Sequence, residues 1–236
     1  MTGSSPPPFA LTPLGRNIWT LEGRHKFAGM EFGTRMSVVR LNTGVLLLHS
    51  PVLINDTLRG ELNSLGEVKF IVAPNKFHHL RVKDCRALYP GAELWGAPGL
   101  AEKRKDLKFD GVINDETCFG REGEIEHFIF RGIPLVNEIV FYHPESKTLI
   151  LTDLIFNFPK DISQGFKLFL RLFGVYGGPR VSRLMRYVFF KNREEARESV
   201  RKVLSLDFDR VLLAHRDIIP SGGKEIVRKA FECFGV

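Results

Sequence analysis

Three short apolar runs in this chain each deliver a polar, metal-capable side chain shortly after they end. VKFIVA (68–73) leads through a short loop to His78 and His79, TLILT (148–152) runs into Asp153, and RVLLA (210–214) runs into His215. Runs of this length, rich in Val, Ile and Leu, read as buried strands. Loops at the carboxyl ends of strands let side chains converge while the sheet holds the backbone, which is how layered α/β proteins build sites. Imidazole nitrogens and a carboxylate are also ligands that zinc and similar metals accept.

The surrounding pattern is of two strand-rich halves separated by helices. NIWTLE (17–22), RMSVVRL (35–41) and GVLLLH (44–49) read as an opening meander, divided by Gly and Asn turn signals. Leu58, Leu62 and Leu65 recur at helical spacing, and Gly66 supplies a stop before the strand VKFIVA. A helix around Lys83–Leu88, a strand at Glu93–Ala97 and a helix after Pro98 continue the alternation. EIEHFIF (124–130), EIVFYH (138–143) and TLILT form the second strand set, with residues 144–147 as the turn joining the last two. Residues 166–204 read as helical, broken at 174–179, and RVLLA precedes a last helix over Gly223–Phe231. MTGSSPPP offers neither donors nor apolar surface for a regular element, so residues 1–13 are expected as a loose tail before one domain over 14–236.

The net charge of +7 points towards anionic partners, and its distribution is uneven: eleven Lys/Arg face four acidic residues between Lys160 and Lys202. In that stretch GFKLFLRLFGVYGG and VSRLMRYVFF interleave cations with apolar and aromatic residues at amphipathic spacing. The favoured reading is a helical insertion that covers the site or forms a homodimer face, with peripheral contact to a membrane surface as the alternative. No Walker, dinucleotide or aromatic-basic motif points to nucleotides or nucleic acid. Three scattered cysteines without a C-x-x-C exclude a disulfide framework and a cysteine zinc knuckle. They suit a reducing compartment, and with no apolar run long enough to span a bilayer the expected location is the cytoplasm.

From Gly15 to Phe234 the chain resembles the metallo-β-lactamase superfamily of hydrolases, and within it a degenerate family of unknown function. The H-x-H-x-D-H element of the superfamily falls on IVAPNKFHHL, its late strand-then-Asp element on LILTDLIFN, and its closing strand-then-His element on VLLAHRDII. An ungapped match sets Asn75 and Phe77 on the first two histidines, His79 on the aspartate and Leu80 on the last histidine. Moving it by one residue sets His78 and His79 on the Asp-His pair. Ile133 stands where a mid-chain histidine is expected. The resemblance therefore implies an α/β, four-layer αββα sandwich with a helical insertion near 161–204, and one metal site instead of two.

That site would draw on His78 or His79 with Asp153 and His215, leaving an open position for water. Its metal would be one divalent ion, zinc first, with manganese or iron as substitutes. The implied activity is single-metal hydrolysis of a small ester, thioester, lactone or phosphoester, with Asp153, His79 and Glu138 as the catalytic candidates. The rival reading is a catalytically inactive relative that binds a small molecule or serves as an interaction protein. Each residue also has a structural reading: one of the two neighbouring histidines must point away, and Asp153 and His215 could simply order their turns. Glu138 could be a solvated edge carboxylate instead of a substitute ligand or base. Asn75 could bond substrate or make an Asx-turn. Arg35 and His49, near the ends of early strands, are weaker candidates.

Overall fold

The computed structural model describes residues 10–27 and 29–235. Thirteen strands run in chain order as β1 (Thr12–Gly15), β2 (Ile18–Gly23), β3 (Lys26–Phe27), β4 (Met30–Glu31), β5 (Thr34–Arg40), β6 (Leu46–His49), β7 (Val68–Ala73), β8 (Glu93–Gly96), β9 (Gly111–Val112), β10 (Glu126–Ile129), β11 (Ile139–His143), β12 (Thr148–Leu151) and β13 (Arg210–Leu213). The helices are α1 (Asp56–Leu65), α2 (Val82–Leu88), α3 (Leu100–Lys103), α4 (Gln164–Phe173), α5 (Arg193–Ser205) and α6 (Gly223–Phe231). One sheet has the order β1-β2-β5-β6-β7-β8-β9, the other β10-β11-β12-β13, and β3 with β4 forms a separate hairpin.

Alternation along the strands builds the layers, because successive side chains leave a strand on opposite faces. In β6, Leu46 and Leu48 pack with Leu58 and Leu62 of α1 and with Val82 of α2, whereas Leu47 points to the other sheet. In β12, Leu149 and Leu151 pack with Val200 of α5 and Val227 of α6, whereas Ile150 meets Leu47, Phe141 and Leu212 between the sheets. Both strands are buried on both faces, hence their unbroken apolar character. The order helix, sheet, sheet, helix is the αββα sandwich.

Local chemistry fixes the helix ends. Asn55 accepts the Leu58 amide to start α1, and Asn192 accepts the amides of Glu194 and Glu195 to start α5. At Gly66, after α1, a Cβ would stand 2.1 Å from the Gly44 carbonyl, so only glycine lets the chain pass there into β7.

Three boundaries differ from the sequence reading. The first strand starts at Thr12, so the boundary expected between 13 and 14 falls inside β1, while residues 1–9 of the expected tail lie outside the described residues. The two-residue strands β3, β4 and β9 carry too few positions for any periodicity to register. The helical stretch towards residue 204 divides: α5 buries Ala196, Val200 and Val203 in the outer layer of the second sheet, where Val181 and Met185 join them, and residues 161–180 stand outside the four layers. Among the described residues no helix is long and apolar enough to cross a membrane.

Candidate metal centre

β6 and β7 run parallel in one sheet, and β12 and β13 run parallel in the other. Their carboxyl ends bring Ser50, the 74–80 loop, Asp153 and His215 together. His78 Nε2 lies 3.6 Å from Asp153 Oδ2, His215 Nε2 lies 3.4 Å from Asp153 Oδ1, and the two imidazole centroids are 5.1 Å apart. One donor atom from each residue falls within 4.8 Å of the other two. The three side chains are 7–13% exposed, so the group is sheltered yet open on one side.

Each imidazole is steered through its second nitrogen. His215 Nδ1 is 2.9 Å from the Gly33 carbonyl and His78 Nδ1 is 2.9 Å from Ser50 Oγ. A carbonyl only accepts, so His215 carries a proton on Nδ1, which leaves Nε2 facing a carboxylate oxygen. A shared proton or a bound cation can satisfy the nitrogen and the carboxylate oxygen that face each other, and outer hydrogen bonds of this kind orient metal-binding histidines generally. Tetrahedral zinc with ligand bonds of about 2.0 Å holds neighbouring donors roughly 3.3 Å apart. The contacts of 3.4 and 3.6 Å, one to each carboxylate oxygen, come near that spacing, and the set of one donor per residue is somewhat wider, within 4.8 Å, so a small divalent ion would draw the donors together.

Behind Asp153 lies a closed polar network. Glu138, fully buried, accepts the Thr152 amide at Oε1 and the Asp153 amide at Oε2, both at 2.7 Å. Asn75 donates through Nδ2 to Asp153 Oδ2 (2.6 Å) and to Thr152 Oγ1 (2.9 Å). The Asn75 Oδ1 accepts the amides of Phe77 and His78, which is an Asx-turn that aims His78. Burial and then the Asp153 charge push the Glu138 carboxyl up to about 8. Burial also works to raise Asp153, but His78 and His215 outweigh it and hold that carboxylate well below its usual range.

His79 does not join the group. Its Nδ1 is 2.7 Å from Arg104 Nη1, a donor with no accepting capacity, so His79 is a neutral acceptor that helps seat the start of α2. Burial and then Lys103 and Arg104 bring it down to about 4. The two neighbouring histidines thus diverge, and the pairing His78 with Asp153 and His215 is the one the geometry assembles. Complete burial also removes the solvated-edge reading of Glu138, whose oxygens are taken up by backbone amides. Arg35 is a clamp: its guanidinium donates to the carbonyls of Leu213 and Arg216 on either side of His215. His49 sits between the sheets against Phe141 (centroids 5.0 Å apart), out of the cluster.

Sequence reasoning passed over several neighbours. Ser50 and Gly33 act on the histidines through long-range contacts that no spacing encodes. Phe156 stacks on His215 at 5.2 Å and Phe32 meets the same ring edge-on at 6.1 Å, giving the site an aromatic wall. His25, in the turn before β3, senses the charges of His215, His78 and Asp153. The tripeptide RHK at 24–26 was its only trace in the sequence.

Residues 15–101 match a family described as a domain of unknown function (DUF4336), a stretch that takes in β2 to β8 with α1 and α2. No curated protein matches the sequence. Solved structures that share the architecture include a metallo-β-lactamase from Pontibacter korlensis, with 11% identity, a TM-score of 0.64, and coverage of 96% of this chain and 98% of that one. A second, from Hirschia baltica, has 14% identity, a TM-score of 0.63, and coverage of 96% and 98%. A metal-soaked flavodiiron core from Synechocystis has 12% identity and a TM-score of 0.67, with 96% of this chain and 60% of that one covered. These likenesses, far-reaching in length and slight in identity, establish that the chain has the metallo-β-lactamase fold.

Proposed function

We propose that this chain is a hydrolase working with one divalent metal ion, zinc before manganese or iron, held by His78, Asp153 and His215. The observation that carries this reading is the convergence of three donor atoms within 4.8 Å at the carboxyl ends of strands from both sheets. The fold neighbours named as metallo-β-lactamases support it. The ion supplies Lewis acidity towards an acyl or phosphoryl oxygen and lowers the pKa of water. The substrate class that suits this chemistry is a small ester, thioester, lactone or phosphoester.

The chain's own residues divide the remaining work. Gly33 and Ser50 fix the ring orientations of His215 and His78, and Glu138 with Asn75 holds Asp153 in place. Glu138 is thus a positioning residue in this reading, not the group that touches substrate. Phe32 and Phe156 exclude water on one side and offer an apolar surface to a substrate's non-reacting part.

The test is an assay of zinc-reconstituted protein against chromogenic esters, thioesters, lactones and phosphodiesters. Turnover that disappears with chelator and in Asp153→Ala and persists in His79→Ala is expected. Turnover indifferent to Asp153→Ala, or none from metal-loaded protein across all four classes, contradicts the proposal.

A further inference from the structure

Residues 161–180 lie outside the four layers and pack on them through aromatic side chains, and beyond them Val181 and Met185 join the core on the outer face of the second sheet. The inner face of α4 places Phe166 and Phe169 against Phe32, at centroid distances of 5.3 and 5.7 Å, and Phe32 in turn meets His215. The outer face is different in kind. Leu168 and Leu172 are 58% and 63% exposed, and Leu184, Tyr187 and Val188 beyond them are also exposed. This short segment therefore contributes five of the eleven exposed large apolar side chains among the described residues. Arg183 donates to the Leu172 carbonyl at 3.1 Å, joining the 183–189 turn to the end of α4.

The same segment is strongly cationic. Lys160, Lys167, Arg171, Arg180, Arg183 and Arg186 face the single acid Asp161, and among the described residues none of the six comes within ion-pair distance of a carboxylate. Cations on α5 behave otherwise, with Arg197 and Arg201 both paired to Glu194. Unpaired cations beside exposed leucines call for an occupant that supplies anions and an apolar medium together. A second copy meeting this face across a two-fold axis would set like charges against each other. Nucleic acid would satisfy the cations and leave the leucines in water.

From this combination we propose that the outer face of residues 160–190 docks on an anionic lipid surface, with Leu168 and Leu172 entering the headgroup boundary and the basic side chains meeting lipid phosphates. Docking in this way sets the aromatic wall beside His215 close to the bilayer. The proposal stands apart from the hydrolase reading, since it needs no turnover and no metal.

The experiment is co-sedimentation of the full chain with vesicles of phosphatidylcholine alone and of phosphatidylcholine with phosphatidylserine, at low and high salt. Binding to the anionic vesicles that weakens with salt is expected, with little on the neutral ones. Leu168→Gln with Leu172→Gln should lower partitioning by about tenfold, and Lys167→Gln and Arg171→Gln by about fivefold for each cation removed. Circular dichroism confirms that these exposed changes leave the fold intact. No sedimentation with the anionic vesicles, equal binding to both kinds, equally tight binding to polyglutamate, or a dimer that Leu172→Gln dissociates would each overturn the proposal.

Discussion

Asp153 has two sides, and they treat polar groups in opposite ways. Towards the opening, two imidazoles present nitrogens whose only near neighbour is the carboxylate itself. Towards the interior, Asn75, Thr152 and Glu138 spend their hydrogen-bonding capacity on one another and on backbone amides. A buried polar group must be satisfied within the protein or by a ligand. The inner side is satisfied by the fold and, in the proposed reading, a cation completes the outer side, so the first should answer to stability measurements and the second to metal binding.

Replacing Glu138 should break the inner side most heavily. Glu138→Ala leaves two buried amides without acceptors and Asp153 without its support, and a loss of about 4 kcal/mol in chemical unfolding is expected. A loss below about 1 kcal/mol would mean that water or a neighbour replaces the carboxylate, and the distinction between the two sides would blur.

A pH titration sharpens the picture from between the sheets. Burial, aided by the nearby His78, pulls His49 down to about 3, whereas the unfolded chain binds that proton near the ordinary histidine value of 6.5. Stability from this residue is therefore full above pH 6.5 and is lost as pH falls towards 3. In chelator-treated protein the loss should reach about 3 kcal/mol by pH 4, and His49→Gln should flatten that slope. An unchanged slope in the variant assigns the acid sensitivity elsewhere, for instance to His143, which burial also lowers.

Asn75 touches both sides, so Asn75→Ala should cost about tenfold in metal affinity as well as stability. His79 touches neither. His79→Ala should leave metal affinity within about twofold and stability within about 1 kcal/mol, and a larger metal effect would revive it as a ligand.

The sequence revealed the parts of this arrangement that depend on local periodicity. VKFIVA is β7, RVLLA contains β13 and TLILT contains β12, because a strand buried on both faces is an unbroken apolar run with few alternatives. Asp153 and His215 were legible for the same reason, each standing directly beyond such a run. The choice between His78 and His79 was not, since it turns on the hydroxyl of Ser50, 28 residues earlier, for one and on Arg104, 25 residues on, for the other. Glu138 looked like an edge carboxylate because a loop precedes it, and only the return of the chain at Thr152 and Asp153 encloses it. The hairpin of β3 and β4, which carries Phe32 and Gly33 to His215, is too short to leave a pattern.

The account stands on a cation at the open side of Asp153. Elemental analysis of protein reconstituted with zinc and freed of excess metal, for the wild type, Asp153→Ala and His215→Ala, addresses this directly. About one equivalent in the wild type and almost none in either variant is the expected result. An empty wild type, or variants that keep their zinc, would contradict it.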